Sequence, residues 1–233
     1  PSNFRFAHKV TDTITIKNFP ALKRHGKFAG LANPCYLNPD IFLKSFLSPL
    51  VPHREQTGLI IFEFSHFYPR DYRYGREFVS DLDSFLATLP TNEWDFGVEI
   101  RNASLLQKPY FDTLERHSVA HVYNQWQRMP DLADQLKLHW PNPENSPTGC
   151  RLLLKRGRNY NRAVESFAPY DQTKEVQENV RPASASLIRD RKAKASGRRT
   201  YIYANNRLEG NALATIEAIL ALVDNQAKSP LPP

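Results

Sequence analysis

Sulfur is scarce in this chain of 233 residues, which holds two cysteines, Cys35 and Cys150, and one methionine, Met129. Two cysteines without CxxC spacing exclude a disulfide framework and a cysteine-rich zinc module, and they suit a reducing compartment, the cytoplasm. Glycine is sparse as well, at nine. None of the nine builds a GxGxxG turn, a P-loop or a GxSxG elbow, so dinucleotide, nucleotide-triphosphate and serine-hydrolase chemistries have no motif behind them. Long apolar runs are also missing. No stretch approaches 18 consecutive apolar residues, and no charged-then-apolar leader precedes Phe4, so neither a spanning helix nor a secretion signal is expected.

What is present is enough apolar residue, 41%, to bury a full core, together with a formal charge of +7. That excess favours anions, whether phosphorylated small molecules or nucleic acid, although net charge speaks to encounter and solubility rather than to a site. No cofactor and no oligomeric state can be read from the composition. Residues 1–228 read as one domain, followed by a tail, 229–233, too proline-rich and short to order.

Hydrophobic periodicity sets out the elements. Strands are expected over 4–10, 59–64, 96–100, 120–124, 150–155 and 201–206, and helices over 39–50, 75–89, 109–117, 175–195 and 212–224. Residues 11–38 form a long loop rich in Lys17, Lys23, Arg24, His25 and Lys27. Asn38 followed by Pro39 is an N-cap with proline at the first helical position, and Pro52 is expected to end that helix. The run LIIFEF at 59–64 suits a strand covered on both sides. Strands alternate with helices and no Asn-Gly hairpin signal intervenes, so the expected class is α/β with parallel strands.

The central stretch is DFGVEIRNASLL at 95–106. Alternation over 96–100 sets Glu99 and Arg101 on one face and Val98 and Ile100 on the other, and Asn102 follows at the strand end. Carboxylate, guanidinium and amide gathered at the C-terminal end of a short strand is the pattern of the active face of a (β/α) barrel.

At this point the chain resembles a known family, the YecE-like proteins or domain of unknown function family 72. The matching blocks are FRFAHKV, FEFSHFYP, GVEIRN, HSVAHVYNQWQRMP, RAVESFAPYD and YIYANNRLEGNALATIEAIL, in that order. The resemblance implies a TIM-barrel-like (β/α) barrel of unestablished biochemistry. It also implies that the first two strand and helix units, with their glycine-tryptophan and Glu-Asn-Ser/Thr-Phe-Tyr motifs, are absent. The chain would then supply six of eight parallel strands and be incomplete at its N-terminus, as the lack of a methionine before Met129 also suggests.

Laid out in order, the strand ends carry Lys9, then Glu63 with Ser65 and His66, then Glu99 with Arg101 and Asn102. Asn124 with Trp126, Lys155 with Arg158, and Asn205 with Asn206 complete the series. Parallel neighbours lie roughly 4.8 Å apart, so Glu63 and Glu99 can act as an acid and base pair if they share a face. Lys9, Glu63, Glu99 and Arg101 can equally form an internal ion-pair network, and both readings stay open. A glycosidase would use the two carboxylates with Trp126, Tyr123 or Tyr68 as platform. A metal site would draw on His8, His66, Glu63 and Glu99, but no recognisable ligand spacing supports one. His117 and His121 belong to the opposite end.

For an anion, Lys155, Arg156, Arg158 and Arg162 surround Gly157, and Asn211 or Gly210 would cap the closing helix. Asn205 and Asn206 can alternatively be turn builders. The densest basic run, 189–199, ends a helix on the opposite face and reads as a solvated helix end or a nonspecific nucleic-acid patch through Arg191, Lys192 and Lys194. The expectation is a barrel enzyme, a hydrolase of phosphoesters or glycosides, with Glu63 and Glu99 catalytic. Lys9, His66, Arg101, Asn102, Asn124, Trp126, Lys155, Arg158, Asn205 and Asn206 would bind substrate. The alternatives are a nucleic-acid-binding protein and an interaction scaffold that docks partners through residues 11–38.

Overall fold

The computed structural model describes residues 3–138, 146–193 and 199–227, leaving out the side chains of 191–193 and 226–227. Six strands, β1 (Phe6–Lys9), β2 (Thr57–Phe64), β3 (Phe96–Ile100), β4 (Ala120–Gln125), β5 (Thr148–Leu152) and β6 (Thr200–Ala204), are hydrogen-bonded in sequence order, and every pairing is parallel. Parallel neighbours cannot be joined by a tight hairpin, which is why helical segments separate them. The fold is therefore α/β, as expected. The chain divides into two compact units, Pro1–His121 and Val122–Pro233.

In the first unit the loop after β1 is not bare. It contains the single turn α1 (Asp12–Thr15) and a 3-10 segment Lys23–Phe28, and its sides meet at a bridge between Asn18 and Ala32. Asn38 caps α2 (Pro39–Ile41) by accepting from the Ile41 N–H at 3.0 Å, with proline at the first turn. The expected amphipathic helix over 39–50 then changes pitch. Phe42–Leu47 is a π-helical turn and Ser48–Gln56 a 3-10 segment that runs through Pro52. The wider π turn brings residues five apart onto one face, so Phe42 and Leu47 are buried and Phe46 is only partly so.

Helix α3 (Gly75–Leu86) follows β2 and buries Phe78, Leu82, Phe85 and Leu86. Helix α4 (Lys108–Arg116) follows β3, and Tyr110 and Leu114 turn inward. One face of β2 and β3 carries Phe62, Phe64 and Phe96. Phe62 lies 5.0 Å from Phe42 and 5.3 Å from Phe85 between ring centres, and Phe64 lies 5.1 Å from Phe78. Each such phenyl stabilises the unit by about 1.5–3 kcal/mol through burial alone. Because strand side chains alternate, residues 61, 63, 97 and 99 are committed to the other face.

In the second unit the expected strand over 150–155 is displaced toward the N-terminus, since β5 is Thr148–Leu152. Two helices went unread in the sequence: α5 (Leu132–Leu136) and α6 (Tyr160–Phe167), the latter capped by Asn159, whose side chain accepts from the Asn161 N–H. Helix α7 (Val180–Ala193) begins five residues later than expected. A short α8 (Asn206–Glu209) precedes α9 (Ala212–Ala227). Cys150 and Leu152 of β5 pack with Leu132, Val180, Leu187, Leu208, Ile219 and Val223, while Leu154, Ala163 and Phe167 form a smaller cluster. Both cysteines are free thiols. Among the described residues, no helix is long and apolar enough to cross a membrane. The tail at 229–233 and the run 194–198 lie outside the described residues.

Candidate functional site

The face of β2 and β3 that the phenylalanines leave free carries the carboxylates. In the parallel register Ile61 stands beside Gly97 and Glu63 beside Glu99. Gly97 adds no side chain there, so Glu99 is the first side chain on that face of β3, and Glu63 stands beside it on β2. Just past the end of β3, Arg101 places its Nη2 2.7 Å from Glu99 Oε1 and 3.7 Å from Glu63 Oε2. Arg101 is 5% exposed, Glu99 0% and Glu63 18%. One guanidinium nitrogen thus serves two carboxylates, and Glu63 is the more solvent-accessible of them. At that burial, ions persist only when paired, which is what binds the three side chains into a unit.

The neighbouring residues divide by role. Asn102 accepts from the Phe67 N–H at 2.8 Å and donates to the Phe67 carbonyl at 3.0 Å, clasping the loop after β2 to the end of β3. His66 Nδ1 is 3.3 Å from the Arg101 carbonyl. A carbonyl can only accept, so Nδ1 carries the hydrogen of that contact. Lys9 is drawn elsewhere, to Asp12 at 3.0 Å on the surface, rather than into a network with Glu63 and Glu99.

His117 precedes β4, whereas His121 is the second residue of β4 and stands beside Val98 in register. His117 binds Asp83 at 2.8 Å beside Arg116, and the His117 hydrogen bond holds the Asp83 carboxyl below its usual range. His121 is fully buried, with Nδ1 3.0 Å from the Tyr110 hydroxyl, and burial pushes its pKa down to about 3. It is neutral throughout the physiological range.

In the second unit, β4 ends in Asn124, Gln125 and then Trp126. The Asn124 backbone is read by Gln135 of α5, whose Nε2 donates to the Asn124 carbonyl at 2.5 Å. Gln125 donates to Asp131 at 2.7 Å and accepts from the Leu132 N–H at 2.9 Å, so it holds the start of α5. Trp126 packs on the Leu154, Ala163 and Phe167 cluster.

Lys155 and Arg158 converge, but on a carboxylate that the sequence reading placed inside a helix. Glu175 accepts from Lys155 Nζ at 2.6 Å and from Arg158 Nη2. Burial works to raise its pKa, yet the hydrogen bonds from Lys155, Arg158 and Gln177 outweigh it and hold the carboxyl at about 2. Gly157 takes φ +75 to turn the loop that brings the two cations round. Arg156 and Lys155 line a surface cavity of about 420 Å³ with Asp131 and the residues leading into α7, Gln177 to Val180.

Asn205 and Asn206 act as turn builders, one accepting from the Arg207 N–H at 3.0 Å and the other from the Ala212 N–H at 2.7 Å. Asn211 caps α9 by accepting from the Ala214 N–H at 3.0 Å.

The residue that sequence reasoning passed over is Glu209. Wholly buried, it accepts from the Gln177 N–H at 2.6 Å, Arg181 Nη2 at 2.8 Å and Thr215 Oγ1 at 2.7 Å. It therefore joins the starts of α7 and α9. Its carbonyl takes the Lys174 and Glu175 N–H groups, which sets Glu175 in place. The signal was present: a glutamate between Leu208 and Gly210 must find cationic or N–H partners if it is buried.

Among the described residues no group of three His, Cys, Asp or Glu side chains is placed to hold a metal ion. Arg191, Lys192 and Lys194, the nucleic-acid candidates, lie outside the described side chains.

The model of the protein family of unknown function DUF72 matches residues 1–233. Among solved structures, a DUF72 family protein from Enterococcus faecalis is similar at TM-score 0.63 and 15% identity, covering 96% of this chain and 76% of that one. Another, from Thermotoga maritima, is similar at TM-score 0.56 and 17% identity, covering 98% of this chain and 75% of that one. Likeness at such identities shows the shared fold. No match is found among the curated proteins. With the family model spanning its whole length, the chain belongs to the DUF72 family.

Proposed function

We propose that the protein is a barrel enzyme acting on a phosphorylated or otherwise anionic substrate, with Glu63 and Glu99 as its acid and base pair. The observation that supports this reading is the register of β2 and β3. It puts two glutamates side by side at the C-terminal ends of adjacent parallel strands, with the Arg101 guanidinium between them. In (β/α) barrels those strand ends are where catalytic side chains gather.

The environments of the two glutamates differ in a usable way. Glu99 is sealed and held by Arg101 at 2.7 Å, whereas Glu63 has the looser contact and some access to solvent. Glu63 is accordingly the group that exchanges a proton with substrate, and Glu99 with Arg101 supplies the fixed charge against which it works. In the second unit, Lys155 and Arg156 line a cavity together with the carboxylates of Asp131 and Glu178, and an anion bound there would compete with Glu175 for Lys155.

The test is a panel of chromogenic phosphomonoesters, phosphodiesters and glycosides assayed with the wild type and with Glu63→Gln. Turnover of one class, lowered about 100-fold or more by Glu63→Gln with the melting temperature kept, is the expected result. Turnover that Glu63→Gln leaves intact would refute the assignment.

A further inference from the structure

The loop at residues 11–38 and the loop after β2 enclose a small pocket in the first unit. Its volume is about 60 Å³, and Lys17, Asn18 and Arg24 line it from the first loop while His66, Arg70 and Asp71 line it from the second. Three permanent cations meet a single carboxylate there, and that carboxylate is committed. Asp71 accepts from the Tyr68 N–H at 2.7 Å and from Asn18 Nδ2 at 2.8 Å.

The cations are not equally committed. Lys17 binds Asp81 at 3.3 Å and stands 3.5 Å from the centre of the Tyr72 ring. Arg24 and Arg70 make no ion pair among the described residues. Arg24 reaches the adjacent His25 ring at 3.1 Å, and the Arg70 guanidinium lies 6.0 Å from the Tyr68 ring.

We propose that this pocket binds a phosphoryl group, free or as a monoester, held between the guanidinium groups of Arg24 and Arg70. Guanidinium is planar and presents paired donors that match two oxygens of a tetrahedral anion. The size agrees. A bound water needs roughly 10–15 Å³ of such volume, so the pocket has room for about four to six waters, the space of a five-atom oxyanion.

The walls are also held in advance. Asn33 Nδ2 donates to the Thr13 and Ile16 carbonyls, both at 2.7 Å, and Phe19 and Leu31 are joined backbone to backbone at 2.9 Å. The second wall is fixed by the Asn102 clasp on Phe67. Binding therefore costs little loop ordering.

The proposal goes beyond the acid and base reading and stands without it, because binding requires no turnover. It is tested by titrating inorganic phosphate and phenyl phosphate into the full chain at low salt by calorimetry. The variants are Arg24→Ala/Arg70→Ala and, as the control for the second unit's cavity, Lys155→Ala/Arg156→Ala.

The expected result is phosphate binding that the first double variant weakens about tenfold or more, while the control pair leaves it within about twofold. Arg24 and Arg70 are exposed, so the fold should survive, and Arg24→Lys/Arg70→Lys should restore part of the affinity if the first variant melts early. Tighter binding of phenyl phosphate than of phosphate identifies a monoester as the ligand, and equal binding identifies the free anion. Wild-type-like affinity in Arg24→Ala/Arg70→Ala, or no binding by the wild type at millimolar phosphate, would overturn the proposal. Loss of binding only in the control pair would do so too. Glu63→Gln, which tests the catalytic reading, should leave this binding unchanged.

Discussion

Arg101 Nη2 lies 2.7 Å from Glu99 Oε1 with both side chains buried. A pair so placed is structural as well as chemical, because removing one partner strands the other in a medium of low polarity. Glu99→Ala should therefore destabilise the protein by about 3–5 kcal/mol in urea unfolding, while Glu63→Gln, at 18% exposure, should cost far less. Glu63 is therefore the informative position for a test of catalysis. Equal small losses at both sites would show that the pair carries no buried charge.

Gly210 sits at φ +112, and a Cβ there would meet the Gln172 carbonyl oxygen at 2.5 Å and the Lys174 nitrogen at 3.0 Å. The neighbouring backbone cannot yield as a flexible side chain would. Gly210→Ala should cost more than about 1 kcal/mol by thermal or chemical unfolding, and it should loosen Glu175, whose N–H is held by the Glu209 carbonyl. A stability gain would contradict the close approach.

His121 has its pKa lowered from 6.5 to about 3 by burial. The unfolded chain takes up this proton below 6.5 and the folded chain does not, so the contribution is complete above pH 6.5 and is lost as pH falls toward 3. Stability should decline with acidification across that window, and His121→Asn should flatten the decline in denaturation midpoints. An unchanged slope would mean that the imidazole is not kept neutral.

Glu175 titrates in a lower window, from 4.5 in its ordinary state to about 2 here. Its contribution is present above 4.5 and is lost as pH falls toward 2, again because the unfolded state binds the proton first. Near neutral pH its charge occupies Lys155 and Arg158. Glu175→Gln should release both cations and add a phosphate affinity that the wild type lacks, which the further change Lys155→Ala/Arg158→Ala should remove. No gain in affinity would separate these cations from ligand binding.

How much of this was legible depended on how local the cause was. The strand at 96–100 was read with its observed bounds because alternation over five residues is a local property, and the Asn38 and Pro39 helix start was read for the same reason. The π turn at Phe42–Leu47 was not, because the burial of Phe42 against Phe62 and Phe85 draws on residues far along the chain. Helix α5 is only five residues long and depends on Gln125 and Gln135 contacts for its start, so no periodic pattern announced it.

By itself, then, the sequence determined the α/β class, the family resemblance and the strand ends on which chemistry could sit, since these follow from periodicity and from short motifs. Tertiary structure decided which charges meet. Register set Glu63 beside Glu99 and gave both to Arg101, while Glu175 captured Lys155 and Arg158 across a turn that no spacing rule foretells. The physical reason is that ionic partners are chosen by proximity in space and by the cost of leaving a buried charge alone, and neither is written in the order of residues along the chain.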